Sequence, residues 1–343
     1  MDPQRRPKRC ATVGLCAAEA SSRSGGIEHV ARFGARLAGG EAKDARSAQR
    51  PRRSAEFLVE GLIRVIGLSS IGFVALIFLF LLREGLPVFW EVSPANLFGT
   101  DWYPTFGFFG TLPLFLGSLL VTVSAIVIAL PLGVVTAVFV REIAPGWARE
   151  VLKPLIEVLA GIPSVVLGFF GMTILAPLIR TTLNIPTGLS AFTGAVVLAY
   201  MALPTMISIA EDALDAVPKS YRDAGLAMGA TQWQTIWRVV VPAARSGIVT
   251  AVMLGMGRAI GETMAVMMVT GNAARMPLTA NALFRPVRTM TATIAAEMGE
   301  VAQGSVHYHA LFGIGILLFL ITFAINLGAA STIFKKRRRG GLR

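Results

Sequence analysis

Long apolar stretches dominate the chain after residue 60 and alternate with shorter polar segments. Six of these stretches approach the ~20 residues that a helix needs to cross ~30 Å of hydrocarbon. We predict membrane-spanning helices at about residues 62–82, 113–140, 155–179, 189–209, 247–271 and 311–333. The pattern therefore predicts an all-α membrane protein with six transmembrane helices.

The polar segments between these spans alternate in charge. Lys and Arg are concentrated before the first span, between the second and third, between the fourth and fifth, and after the sixth. The positive-inside rule assigns such segments to the cytoplasm, so we expect both the N- and C-termini to be cytoplasmic. The bias is weakest between the fifth and sixth spans, where three Arg residues accompany Glu297 and Glu300.

Composition supports a membrane class and argues against a nucleic-acid binder. The 343 residues are 54% hydrophobic and 15% charged, with a mean hydropathy of +0.64 and a net charge of +12. Residues 1–60 and 335–343 carry +11 of this charge, so the basic residues flank apolar spans instead of covering a folded face. We expect contact with membrane lipids and no nucleic acid.

The tails and the two cysteines carry little further information. Residues 1–55 are rich in Arg, Ala, Ser and Gly, and we predict a disordered basic N-terminal tail. Residues 335–343 form a basic C-terminal tail, and residues 56–334 form the six-span domain. Cys10 and Cys16 both lie in the N-terminal tail, too few and too poorly placed for a disulfide framework or a zinc site.

The fifth predicted span contains two charged residues, Arg258 and Glu262. A charge in a span is costly and suggests a functional role. In a continuous helix these residues, four apart, share a face and can form an ion pair. The pair either fixes helix packing, or Arg258 lines a path for an anion while Glu262 holds it in place. Thr263 adds a hydroxyl that either joins this path or bonds its own helix carbonyl.

A polar loop at residues 211–247 follows the fourth span. We predict a helix that begins at Pro218 and ends at Gly229, then a second short helix over 231–241 that Pro242 stops. Such a loop suits contact with a cytoplasmic partner.

This loop resembles the EAA loop of ABC importer permeases, whose pattern is Glu-Ala-Ala, three residues, Gly, nine residues, Ile, one residue, Leu-Pro. The spacing is kept, with Asp for Glu, Gly for Ala and Val for both larger aliphatic residues. The matching residues are Asp223, Ala224, Gly225, Gly229, Val239, Val241 and Pro242. The resemblance implies a coupling helix that docks on an ATPase subunit through residues 229–235, including Gln232 and Trp233.

Two further stretches of the sequence indicate a particular branch of the ABC importer permeases. "RAIGETMAVMMVTGN" and "MTATIAAEMGE" are similar to the PstC-type permease subunit of phosphate-specific ABC importers, over roughly residues 60–335. The resemblance implies a type I ABC importer permease in the bacterial inner membrane, with Arg258 and Glu262 in the phosphate path. It also implies three kinds of partner: a PstA-like permease, two PstB-like ATPases, and a periplasmic or lipid-anchored phosphate-binding protein.

The sequence contains no Gly-Lys pair and therefore no phosphate-binding loop of the G-x-x-x-x-G-K-[ST] type. We expect a non-catalytic subunit without a cofactor, and ATP hydrolysis on a separate chain. Alternatives remain open at this level: a sulfate or molybdate permease, the PstA-like partner subunit, an ion-coupled transporter or channel, and a signalling scaffold that coexists with transport.

Four smaller features carry expectations of their own. Residues 160–164, "AGIPS", predict a helix break that either lines the path or only kinks a helix. Lys153 and Glu157 predict a solvated ion pair. Residues 289–299 predict an amphipathic helix at the outer surface, which either docks a substrate-binding protein or rests at the membrane interface. His307 and His309 have no further ligand nearby in the sequence, which argues against a metal site.

Overall fold

The computed structural model describes residues 50–279 and 281–340 as a helical protein with one two-stranded hairpin. The helices are α1 (Arg50–Gly85), α2 (Val88–Glu91), α3 (Pro94–Leu97), α4 (Leu112–Val138), α5 (Gly146–Ala160), α6 (Ser164–Phe170), α7 (Ala176–Leu183), α8 (Ala191–Asp215), α9 (Lys219–Ala227), α10 (Gln232–Thr235), α11 (Val241–Gly261), α12 (Met264–Val269), α13 (Met290–Glu297) and α14 (Val306–Gly340). Strands β1 (Trp102–Tyr103) and β2 (Phe108–Phe109) pair in antiparallel fashion.

The chain divides into two units within α1, between Leu76 and Ile77. The described part of the first unit is the helical stretch 50–76, and all other elements belong to the second unit. Helix α1 begins at Arg50, before the predicted end of the disordered tail at residue 55. The rest of that prediction, residues 1–49, lies outside the described residues, as do residues 341–343 of the C-terminal tail.

Six helical segments in the described part of the chain are long and apolar enough to cross a membrane, the number that the sequence predicts. They are Val59–Glu91, Leu112–Ile143, Ser164–Leu183, Ala191–Asp215, Gln232–Gly261 and Val306–Gly328. The third and fifth differ from prediction in their extent.

The third span begins later than the predicted residue 155. Helix α5 ends at Ala160, and the spanning segment starts at Ser164. Pro163 has no N–H to donate, and a residue that precedes proline avoids the helical region of backbone angles. The predicted break at 160–164 is therefore confirmed, and the prediction of one continuous span over 155–179 is wrong.

The fifth apolar helical segment begins and ends earlier than predicted, at Gln232 and Gly261 instead of residues 247 and 271, and its first turns belong to the loop 211–247. Pro242, which was predicted to stop a helix, lies in the first turn of α11 directly after the π-helical turn Ile236–Val240. The helix continues through this π-helical turn, whose wider backbone accommodates the proline. The helix breaks after Gly261, and the predicted fifth span continues as the short helix α12.

Helix α8 lies at the centre of the second unit, against α4 and α11. Its small residues Ala195, Ala199 and Ala202 are fully buried and allow neighbouring backbones to approach closely. In α11, a Cβ atom at Gly255 would lie 2.5 Å from Met206 Cγ of α8, so this contact requires glycine. The central helices are therefore held by close packing of small residues.

Candidate functional site

Arg258 lies in the last turn of α11, immediately before the break. The carbonyl end of a helix carries a partial negative charge, which favours a cation there. Its Nη1 donates to Thr205 Oγ1 of α8 at 3.1 Å, and its Nη2 donates to the Ala160 carbonyl at 3.4 Å. One exposed guanidinium thus contacts α8 and the last residue of α5.

Glu262 lies in the break, with extended backbone angles of φ −69° and ψ 132°. Its Oε1 accepts a hydrogen bond from the backbone N–H of Ala265 at 3.2 Å, at the start of α12. The sequence suggested an ion pair with Arg258, and this is wrong among the described contacts. The physical reason is that the helix ends at Gly261, so residues 258 and 262 no longer stack one turn apart. Each charge is matched to a helix end instead.

Two threonines complete the geometry of the break. Thr263 Oγ1 donates to the Gly261 carbonyl at 3.3 Å, a local bond of the kind that the sequence offered as one alternative. Thr291 of α13 donates from Oγ1 to the carbonyl of Glu262 at 2.9 Å, and its side chain is buried. A carbonyl that leaves a helix in an apolar environment needs such a partner.

Sequence reasoning identified three residues here, Arg258, Glu262 and Thr263, and missed Thr205, Thr291 and the Ala160 carbonyl. Glycine beside two charged or polar residues, "GET", was the signal for a break in an apolar span. No sequence signal locates partners that lie 53 and 98 positions away.

The guanidinium of Arg258 retains capacity to bind an anion. Its two described hydrogen bonds involve Nη1 and Nη2, whereas a guanidinium presents five N–H donors in a planar fork. That fork matches two oxygens of an oxyanion such as phosphate. The arrangement can therefore present a permanent positive charge at the break in the fifth span.

The EAA-like loop begins as predicted. Pro218 precedes α9, which ends at Ala227, and Gly229 has a φ of +80°, a value that favours glycine. Asp223 and Ala224 are exposed. A Cβ at Gly225 would lie 2.9 Å from Thr235 Cγ2, so glycine in place of the family's alanine permits close contact between α9 and α10.

The second half of the loop starts with a capping box. Thr231 Oγ1 accepts from the Gln234 N–H, and the Gln234 side chain accepts from the Thr231 N–H. Gln232 and Trp233 in the first turn are both exposed, Trp233 at 59%. Helix α10 then continues through the π-helical turn into α11, so the loop is directly joined to the helix that carries Arg258.

Lys153 does not form the predicted solvated pair with Glu157. Its Nζ lies 3.0 Å from Glu211 Oε2, a carboxylate that is buried on α8. This hydrogen bond raises the pKa of the Lys153 ammonium, against a smaller opposing effect of burial. A buried carboxylate one helix away offers a stronger partner than an exposed one on the same helix.

Helix α13 was predicted to lie on the surface, and its first half is instead buried. Met290, Thr291, Ala292 and Thr293 are all below a tenth exposed. At its other end, Glu297 accepts hydrogen bonds from the Trp102 indole N–H at 3.2 Å and lies 2.7 Å from Arg288 Nη2. The prediction counted residue types over one face and missed these contacts between distant segments.

His307 contacts the Glu297 carboxylate, and His309 contacts the Glu84 carbonyl and, at 4.0 Å, the Glu91 carboxylate. His307 Nε2 lies 2.8 Å from Glu297 Oε2, and His309 Nδ1 lies 2.7 Å from the Glu84 carbonyl. Within residues 50–279 and 281–340, no group of three His, Cys, Asp or Glu side chains is arranged to hold a metal ion.

Comparison with known proteins identifies the family. The family "Binding-protein-dependent transport system inner membrane component" matches residues 129–340. The chain is 42% identical over 239 residues to a probable ABC transporter permease protein, YqgH of Bacillus subtilis, covering 69% of this chain and 76% of that protein. It is 38% identical over 244 residues to the phosphate transport system permease protein PstC of Mesorhizobium japonicum, covering 66% and 73%.

A solved structure supports the fold. A bacterial alginate ABC transporter, solved in complex with a periplasmic protein that binds an alginate pentasaccharide, matches with a TM-score of 0.52 at 15% identity, covering 78% of this chain and 92% of that one. The architecture is the all-α, type I ABC importer permease fold, in a multi-pass protein of the inner membrane. The chain therefore belongs to the family of inner membrane components of binding-protein-dependent transport systems.

Proposed function

We propose that this chain is the PstC-type permease subunit of an ATP-driven importer that moves inorganic phosphate across the bacterial cytoplasmic membrane. The observation that carries the proposal is the 38% identity to a protein named for phosphate transport, together with 31% identity over 294 residues to a second one, from Xylella fastidiosa. These names favour phosphate over sulfate or molybdate, and a PstC-type over a PstA-like subunit.

In this proposal Arg258 contacts the anion as it passes the break in the fifth span. The guanidinium is exposed in the single chain and is always charged, and its fork suits phosphate oxygens. Glu262 and Thr263 set the backbone geometry of the break through their bonds to Ala265 and Gly261. A single arginine with its other bonds to neutral oxygens binds weakly enough for the anion to leave, which transport requires.

The chain hydrolyses no ATP in this proposal. A PstA-like permease forms the second half of the path, two PstB-like ATPases supply the energy, and a periplasmic or lipid-anchored binding protein delivers phosphate. Both termini and the loop 211–247 are cytoplasmic, as the distribution of Lys and Arg supports. The loop residues Asp223, Ala224, Gly225, Gly229, Gln232, Trp233 and Pro242 form the coupling element that the ATPase contacts.

Phosphate uptake by cells that lack their own phosphate importer tests this proposal, with the complete complex supplied. We compare wild type with Arg258→Gln and with Arg245→Gln, which removes the same charge from an exposed position on the same helix. We expect Arg258→Gln to assemble but to lose uptake, and Arg245→Gln to retain it.

Other outcomes would each contradict a different part. If Arg258→Gln takes up phosphate at the wild-type rate, Arg258 does not contact the anion in the path. If that variant fails to assemble, the role of Arg258 is structural. A wild-type complex that imports sulfate or molybdate but no phosphate would show that the substrate is wrong.

A further inference from the structure

Arg222 of α9 forms a two-pronged contact with Glu142, which lies in the π-helical turn Phe139–Ile143 at the end of α4. Its Nη2 lies 2.5 Å from Glu142 Oε1, and its Nε lies 3.1 Å from Glu142 Oε2. The two side chains are only 20% and 9% exposed. Such a bidentate pair fixes direction as well as distance, because both groups are planar.

The same guanidinium also contacts the end of the fourth span. Nη1 donates to the Val217 carbonyl at 2.7 Å, and Nη2 donates to the Leu214 carbonyl at 3.0 Å. The Leu214 carbonyl lies in the last turn of α8 and the Val217 carbonyl lies just beyond it, at the helix end where helical partners run out. The hydrogen bond to Glu142 raises the pKa of Arg222 further above its ordinary value, so the joint stays charged.

Helix α9 makes few buried apolar contacts with the spans. It buries none of its nine residues, and its Asp223, Ala224 and Leu226 are exposed. A segment with few buried contacts moves independently unless specific bonds attach it. Arg222 supplies such bonds to two different spans from one side chain.

We propose that Arg222 and Glu142 form a rigid joint that transmits displacement of the loop 211–247 to the second and fourth spans, which makes Arg222 a positioning residue for transport. The inference rests on the proposed function, because it assumes that an ATPase displaces this loop. Without the joint, α9 moves while the ends of α4 and α8 stay in place. ATP hydrolysis then proceeds without import.

A neighbouring ion pair provides a matched control. Arg141, also in the π-helical turn, pairs with Asp215 at the end of α8. This pair connects the same two spans but does not include α9, and Asp215 is 56% exposed. Losing it should therefore leave the attachment of α9 intact, and exposed pairs contribute little to stability.

The experiment measures phosphate imported per ATP hydrolysed by the purified complete complex in vesicles, for wild type, Arg222→Gln, Glu142→Gln and Asp215→Asn. We expect this ratio to fall about tenfold or more in the first two variants, since each leaves one buried partner without its match. Asp215→Asn should match wild type. An unchanged ratio in Arg222→Gln, or an equal fall in Asp215→Asn, would overturn the inference.

A chemical cross-link tests the joint even if these variants assemble poorly. In a chain with Cys10 and Cys16 replaced by Ser, the double variant Glu142→Cys, Arg222→Cys is treated with a short bifunctional thiol reagent. We expect the cross-linked complex to recover import per ATP relative to the untreated one. Cross-linking without recovery would contradict a rigid joint. If wild type itself imports no phosphate, the proposed function fails and not the joint alone.

Discussion

Replacing Thr291 with Val tests whether α13 holds the break in the fifth span. The Thr291 hydroxyl donates to the Glu262 carbonyl at 2.9 Å, and its side chain is only 8% exposed. Valine has nearly the same shape, so the substitution removes the donor without creating a cavity. The Glu262 carbonyl is then left without this partner in a partly buried place.

The expected cost follows from that loss. Leaving a buried acceptor without its donor costs about 1–3 kcal/mol. Because 1.4 kcal/mol is a factor of ten, the ratio of this backbone geometry to competing ones falls by about five-fold to a hundred-fold. The Arg258 fork depends on the same backbone, four residues earlier. Maximal uptake should therefore fall, and Thr291→Ser should restore it because serine keeps the hydroxyl.

A second threonine on the same helix is the control. Thr293 is fully buried, and its hydroxyl donates to the Thr289 carbonyl at 2.8 Å, which also accepts the Thr293 backbone N–H at 3.0 Å. Thr293→Val thus leaves no acceptor without a donor and should keep uptake near wild type. The assay is initial phosphate uptake at saturating substrate, normalised to assembled complex. Equal uptake by Thr291→Val and Thr293→Val would refute the reasoning.

Two further substitutions have definite expected outcomes. Gly117→Ala should destabilise the purified complex by about 1–3 kcal/mol, because its Cβ would lie 2.3 Å from the Arg288 carbonyl oxygen. We expect a lower yield and a lower melting temperature. Gly146→Ala, with open space around its Cβ, is the control. Lys153→Met should lower the melting temperature at neutral pH, because the bond to Glu211 is lost. The raised pKa of Lys153 means that its contribution is present below pH 10.5 and disappears as pH rises through the raised value, so the difference from wild type should vanish in strong alkali.

The length of the apolar stretches predicted the number of spans, because the thickness of the bilayer sets the length of a spanning helix. The ends of the spans were harder to predict from the sequence, because an apolar segment with a helix break can have the same composition as one continuous helix. The first break was predictable because Pro163 disfavours helical backbone angles at the preceding residue, Ile162, and this effect depends only on neighbouring residues. The prediction that Pro242 stops a helix was wrong, because a π-helical turn directly before it accommodates the proline and the helix continues.

The candidate site was predictable in its residues and not in its contacts. Arg258 and Glu262 stood out because charge is rare in an apolar segment. The expected pairing assumed a helix that continues past Gly261, and the structure ends the helix there. Where the chain is not helical, a separation of four residues in the sequence does not place two side chains close together. The partners of Arg258 and Glu262, Thr205 and Thr291, come from other helices.

The break also explains how the fifth span tolerates two charges. In a continuous helix each charge could rely only on its neighbour one turn away, whereas the break exposes backbone groups that each charge can use. Glu262 takes a free N–H at the start of α12, and Arg258 lies at the carbonyl end of α11 while bonding a carbonyl at the end of α5. Two helix ends, those of α11 and α5, therefore meet at one arginine, which also bonds Thr205 of α8. Because each end can shift with its own helix, relative movement of these helices changes how Arg258 presents its donors, which is the property that an alternating path for an anion requires.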